Sequence, residues 1–260
     1  MTDPQEQPPP VASEAPPEPA PESEALPPPA EPYPFWSYLD VVLLALLALP
    51  LLLMAPALVA GAAALFHWTL RRVVFALAAQ FLFYAFWFLL LFQILRVRYE
   101  RPFWLSLGWI RTRHPAWTYA GWGLMLSVFC AGLTFLLPRT HVRMPLEELL
   151  QDRSSILLLG VFAVSLGPLA EELAFRGLLM PLLVRTFGAA GGILLQAVPF
   201  ALLHGPEYQW VWQQLIVMFL AGAGFGLVRH RTGSTAAAAY AHAAFNLTAV
   251  LGALAQSPSH

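Results

Sequence analysis

Apolar runs of about twenty residues, set apart by short stretches that carry arginine, recur from Asp40 to Leu254. A helix rises 1.5 Å per residue, so each run matches the roughly 30 Å hydrocarbon core of a bilayer. In lipid every backbone group must be satisfied internally, which leaves helices or closed barrels. The runs are about twice the length of a barrel strand. The expected fold is therefore all-α, a polytopic membrane helix bundle. Composition agrees: 58% of the 260 residues are hydrophobic and 11% are charged, against about 25% charged in an average soluble domain.

Taken in order, the predicted spans are Asp40 to Leu70, Val73 to Leu95, Ala116 to Leu137, Ile156 to about Arg185, Gly188 to His204, Val211 to Val228 and Thr235 to Leu254. That makes seven, or eight if the long first run divides; Pro50 and Pro56 are expected to kink it. The second span carries an aromatic stripe (Phe81, Phe83, Tyr84, Phe86, Trp87, Phe88) read as lipid-facing or packing surface. Between the second and third spans lies a basic loop with Arg96, Arg98, Arg101, Arg111 and Arg113, interleaved with Phe103, Trp104, Leu107, Trp109 and Ile110. It reads as an interfacial segment with aromatic anchors. Pro145 to Leu150 suggests a short helix starting at proline, with Glu147 and Glu148 at its solvated start.

Ahead of the spans, Met1 to Pro34 holds 13 prolines and seven of the 15 acidic residues. Such a segment cannot bury enough apolar surface to fold and is expected to be a disordered tail. It lacks a basic start followed by an apolar core, so it is not read as a signal peptide; a proline-rich docking segment is the alternative. The expected division is thus a tail over 1–35, N-terminal helices with the interfacial loop over 36–154, and a core over 155–254. All 14 basic residues are Arg, and beyond the tail they face eight acids. That excess is ordinary for membrane loops and is no nucleic-acid footprint. Eight loop arginines fall on the tail's side and five on the other, which puts the tail in the cytoplasm. An Arg-only, Ala/Leu/Pro-rich chain points to a GC-rich bacterial genome and hence to the plasma (inner) membrane. Cys130 is the single cysteine, which excludes an internal disulfide and a cysteine metal cluster.

Against this background, Gly167-Pro168-Leu169-Ala170-Glu171-Glu172-Leu173-Ala174-Phe175-Arg176-Gly177 stands out. An ionisable group at the centre of a membrane helix costs roughly 2.5–3.5 kcal/mol on insertion scales, and function is the default explanation for one. Here there are three within six residues. Glu172 and Arg176 are four apart, so on a helix they share a face and can pair. Glu171 is rotated by about 100° and points elsewhere. Further on, Phe200 and His204 are four apart, as are His242 and Asn246. The turn expected near Phe187-Gly188 lies about 16 residues from both Glu171 and His204, so a hairpin returns them to one level. Straight helices leave His242 some 9 Å shallower; a tilt or kink must close the gap, and Pro168 is a candidate. Ala221-Gly222-Ala223-Gly224-Phe225-Gly226 reads as a close-packing wall behind the site. His67, His114, His141, His230 and His260 sit in or near loops or at the terminus and take no role.

Glu171-Glu172-x-x-x-Arg176, Phe200-x-x-x-His204 and His242-x-x-x-Asn246, in this order, resemble the CPBP family of intramembrane proteases, named for CAAX and bacteriocin processing and also called Abi. The resemblance covers about Ser155 to Leu254. It implies a helical bundle with its site sunk in a cavity, and hydrolysis of a peptide bond in a membrane-associated or lipidated protein. Glu171 and His204 would activate water, His242 and Asn246 would bind the oxyanion, and Glu172, Arg176 and Phe200 would hold the site together. Peptide hydrolysis needs such a base and such donors. No nucleophilic Ser or Cys stands in the cluster, which argues against a covalent route. Glu171, His204 and His242 also suit a His₂Glu zinc site, although no His-Glu-x-x-His occurs; a metal-independent glutamate–histidine site explains the same residues. The partners implied are a peptide or protein substrate and the lipid bilayer. Two other classes fit the spans: a non-catalytic binding or immunity-type membrane protein using the same cavity, and a transporter, for which the single polar cluster and the lack of a visible inverted repeat speak poorly.

Overall fold

The structure is a computed structural model that describes residues 32–138, 145–150 and 152–257; of the tail expected over 1–35, residues 1–31 lie outside the described residues. Ten helices follow one another: α1 Tyr38–Leu65, α2 Arg72–Gln93, α3 Phe103–Ser106, α4 Ala116–Leu136, α5 Pro145–Leu149, α6 Arg153–Ala163, α7 Leu166–Glu172, α8 Met180–Leu203, α9 Trp212–Thr232 and α10 Thr235–Gln256. Two wide π-helical segments, Ile94–Arg98 and Leu173–Leu179, extend α2 and link α7 to α8. No strand occurs among the described residues.

Local chemistry sets several boundaries. Ser37 and Asp40 form a reciprocal capping box at the start of α1, and Asp152 and Ser234 accept backbone N–H groups at the starts of α6 and α10, so orphan donors are satisfied. Gly233 ends α9 at φ 68°, a left-handed conformation open to glycine. The first span does not divide: α1 runs through Pro50 and Pro56 as one helix. Its outward leucines, Leu46, Leu49 and Leu53 among them, are exposed, as suits a lipid-facing surface.

Among the described residues, six helices are long and apolar enough to cross a membrane. They differ from the seven predicted spans in one place. The 51-residue run Arg153–Leu203 counts once by length, yet Gly188, at φ 73° and ψ 175°, interrupts it. The chain reverses there: a Cβ on Gly192 would lie 2.6 Å from the backbone nitrogen of Val184, whereas residues eight apart on a straight helix are about 12 Å apart. The fourth predicted span is not one continuous helix either. It breaks at Val164-Ser165 and widens into the π segment.

α8 packs on α9, α10 on α4, and α1 on α2. The small-residue stretch of α9 forms the expected wall, with Ala221, Gly222, Phe225 and Gly226 buried. The basic loop is only partly interfacial. Trp104 and Leu105 are exposed, but Leu107 is fully buried beside Leu173, Leu178 and Leu182. The loop is stitched to the start of α10: Ser234 Oγ donates to the Ile110 carbonyl (2.9 Å), and Thr235 Oγ1 to that of Leu107 (2.6 Å). Tyr33–Phe35, assigned to the tail from sequence, lie against the bundle. The Tyr33 hydroxyl donates to the Ser106 carbonyl (3.1 Å) and Arg185 to that of Pro34 (2.6 Å).

The α4–α10 seam is the tightest test of this packing. A Cβ at Gly123 would sit 1.9 Å from the Ala241 carbonyl oxygen, whereas one at Gly121 meets nothing within 4 Å. Gly123→Ala is expected to lower stability by about 1–3 kcal/mol, and Gly121→Ala to leave it unchanged, read as unfolding midpoints in detergent.

Candidate active site

The broken fourth run explains how several ionisable groups reach one point. α6 ends at Ala163, the chain turns through Val164 and Ser165 (φ −129°, ψ −85°), and α7 restarts at Leu166 with Pro168 in its first turn. Proline is tolerated there because the first N–H groups of a helix have no intrahelical acceptor. The last carbonyls of α6 need partners, and Asn246 Nδ2 on α10 donates to that of Ala163 (2.8 Å). This use of Asn246 was not foreseen; one N–H of its amide remains for other work.

Glu172 and Arg176 form the pair that their spacing predicted. Arg176 Nη1 donates to Glu172 Oε1 at 2.9 Å, and both side chains are fully buried. Arg176 Nη2 donates to the Gly222 carbonyl (2.7 Å), which also accepts from Gln196 Nε2 (2.9 Å). The guanidinium lies 4.4 Å from the ring centroid of Phe200 and 5.4 Å from that of Phe225, so the aromatic faces offset part of its desolvation. Phe200 itself is 1% exposed. Glu172 Oε1 accepts a second bond, from His242 Nδ1 at 2.9 Å. Phe225 stacks on the His242 ring, with centroids 4.4 Å apart. Ring position and tautomer are thereby set: Nδ1 carries the proton that Glu172 accepts.

Glu171 points the other way, as predicted. Its Oε2 lies 3.8 Å from His204 Nε2 and 3.9 Å from His242 Nε2. The 9 Å offset expected for His242 is absent, because the run bearing Glu171 is broken and widened rather than straight. His204 caps α8 and donates from Nδ1 to the Phe200 carbonyl (2.8 Å), which leaves its Nε2 facing Glu171. Two ring nitrogens thus face one carboxylate oxygen. That oxygen is buried and has no hydrogen-bond partner among the described residues.

The cluster opens into a cavity of about 770 Å³ between α2, α4, α6, α9 and α10. Glu171 and His204 are reachable from it, at 24% and 17% side-chain exposure, while His242 is nearly enclosed. The walls are largely apolar. Sequence reasoning missed two contributions. Tyr84, read as part of a packing stripe, lines the cavity with Gln80, and its hydroxyl faces Glu171. The turn after His204, Pro206–Tyr208, adds Glu207 and Tyr208. Glu207 exposes area at the cavity wall, yet burial by the dense protein around it raises its pKa, with His204 opposing. Burial, with Glu207 and Glu171 adding, pushes Tyr208 up to about 12. A capping pattern would not have found either residue; their nearness to His204 in sequence was the one available signal.

Ligands of a tetrahedral zinc at about 2.0–2.1 Å lie roughly 3.4 Å apart, closer than the separations from Glu171 to either imidazole. Among the described residues no group of three or more His, Cys, Asp or Glu side chains is placed to hold a metal ion.

The site is a carboxylate–imidazole cluster set between helices long and apolar enough to cross a membrane. Residues 153–248 match the family described as type II CAAX prenyl endopeptidase, Rce1-like. This segment is similar to the CAAX-protease family, as the three motifs implied, and it contains every motif residue from Glu171 to Asn246. No curated protein and no solved structure matches the chain.

Arg176→Met removes the buried counter-charge of Glu172. It is expected to cost about 3–5 kcal/mol of stability, measured as a lowered unfolding midpoint in detergent.

Proposed function

We propose that this protein is an intramembrane endopeptidase that hydrolyses a peptide bond in a membrane-associated or lipidated protein. The observation that carries this reading is the unpartnered Glu171 Oε2, which faces two imidazole Nε2 atoms at 3.8 and 3.9 Å inside a largely apolar cavity. A water between Glu171 Oε2 and His204 Nε2 loses a proton to Glu171 while its oxygen attacks the scissile carbonyl carbon. His204 Nε2 accepts the water's second hydrogen and fixes its orientation. When the C–N bond breaks, the proton held by Glu171 passes to the leaving amine.

The oxyanion needs donors, and His242 and the remaining N–H of Asn246 are assigned to it. His242 already donates from Nδ1 to Glu172, so donation from Nε2 requires both ring nitrogens to carry protons. The Glu172 carboxylate at 2.9 Å is the counter-charge for that form, itself held by Arg176. The route runs through water alone, without a metal.

In the same reading the reversal at Gly188 makes the Arg153–Leu203 run cross the bilayer twice. The chain then has seven crossings, with the tail on the arginine-rich cytoplasmic side of a bacterial plasma membrane. A cavity of this size falls within the usual 300–1,000 Å³ of ligand sites, and its apolar walls suit a substrate held in or against lipid.

Comparison of membrane-protein termini by mass spectrometry in cells carrying wild type or Glu171→Gln tests the proposal. Termini present only with wild type are expected, together with a loss of about 10²–10⁴-fold in cleavage of an identified substrate. An unchanged set of termini would instead favour a binding or immunity-type role for the same cavity. Cleavage by the purified protein is expected to survive excess chelator; loss on chelation with recovery on zinc addition would assign a metal to Glu171, His204 and His242.

A further inference from the structure

A second pocket lies at the opposite end of α8 from His204. It has a volume of about 250 Å³ and is lined by Tyr33, Arg176, Arg185, Arg229 and His230, with Met180, Pro181 and Val184 as its apolar floor. We propose that it binds the phosphodiester headgroup of an anionic membrane lipid.

Charge is the first argument. No carboxylate lines the pocket. Arg185 donates to the Pro34 carbonyl, and Arg229 donates to Thr235 Oγ1 (3.0 Å) and to the Tyr33 hydroxyl (3.5 Å). All three acceptors are neutral, and neither guanidinium meets an anion among the described residues. Arg176, at the pocket's inner wall, is already paired with Glu172, but its Nε has no hydrogen-bond partner among the described residues. Arg185 is exposed and Arg229 half-buried; cations gathered without an anion repel one another, and a bound phosphate supplies the counter-charge and the acceptor oxygens together.

Position is the second argument, and it favours a lipid over a free anion. Arg185 precedes the Gly188 reversal by three residues, and Arg229, His230 and Arg231 form the last turn of α9. The pocket therefore sits where two spanning helices end, at the depth of headgroups. The loop 96–113 is bonded to this end through Thr235 N–H and the Gly108 carbonyl (2.8 Å), and it carries the half-exposed Trp104, a side chain typical of the membrane interface. Basic pockets between helices at this level suit anionic headgroups. His230, which the sequence reading left without a role, gains one here.

The test uses the full chain, purified in neutral detergent and examined by native mass spectrometry with phosphatidylglycerol, phosphatidylcholine or inorganic phosphate. One phosphatidylglycerol is expected to be retained at least tenfold more tightly than phosphatidylcholine. Arg185→Gln is expected to weaken retention by roughly fivefold, Arg185→Lys to keep most of it, and Arg113→Gln, in the exposed loop, to change nothing. Arg185 is the position of choice because Arg229 also ties α9 to α10, and the Lys variant separates charge from folding. Equal retention of the two lipids would overturn the proposal. So would equal effects of the 113 and 185 substitutions, or inorganic phosphate protecting the pocket as well as the lipid does. None of these readouts depends on peptide cleavage.

Discussion

A charge pair with no access to water organises the half of this bundle that carries the candidate site. Glu172 and Arg176 are fully buried and 2.9 Å apart. Left alone, either ion would be very costly in such surroundings. The structure surrounds them with what makes the pair tolerable: the Gly222 carbonyl, the faces of Phe200 and Phe225, and the His242 N–H. These partners come from three other helices, so satisfying one ion pair fixes the relative positions of α7, α8, α9 and α10. The small residues of α9 suit the same requirement: a Cβ at 222 would press on Phe200 (3.0 Å) and Ala197 (3.2 Å) where the chain brings its carbonyl to the guanidinium.

The second requirement is that neighbouring carboxylates serve different ends. Glu171 and Glu172 are adjacent, yet one faces the cavity and the other the protein interior. A regular helix separates them by about 100°, which is sufficient. What a regular helix does not do is meet His242 at the right depth. The break at Val164-Ser165 and the π segment Leu173–Leu179 adjust the run that carries both glutamates, and π segments are frequent at functional sites. The exposed carbonyl left by the break is answered by Asn246, so the residue assigned to the oxyanion also secures the irregularity that positions Glu171.

Much of this was legible in the residues. Helical class, the order of the apolar runs, the Glu172–Arg176 pair and the meeting of Glu171 with His204 follow from periodicity and counting, because a hairpin of two helices with a rise of 1.5 Å per residue leaves little freedom. The meeting with His242 did not follow. Helix breaks and π turns arise from tertiary packing and leave no reliable mark on hydrophobic periodicity. Tyr84 was hidden for another reason: an aromatic residue in an aromatic stripe carries no local sign of which neighbour it faces. Leu107 looked interfacial because its loop is basic, whereas in the fold it plugs the space beside Leu173 and Leu178.

α2 lies outside residues 153–248, the segment that carries every motif residue, yet Gln80 and Tyr84 form a wall of the cavity next to Glu171. In the proposed reading, the surface that a substrate would meet is therefore shared between this segment and helices outside it. Substitutions in α2 or α4 would reshape that surface one side chain at a time while the acid–imidazole kernel stays intact, so selectivity could change without any change to the chemistry.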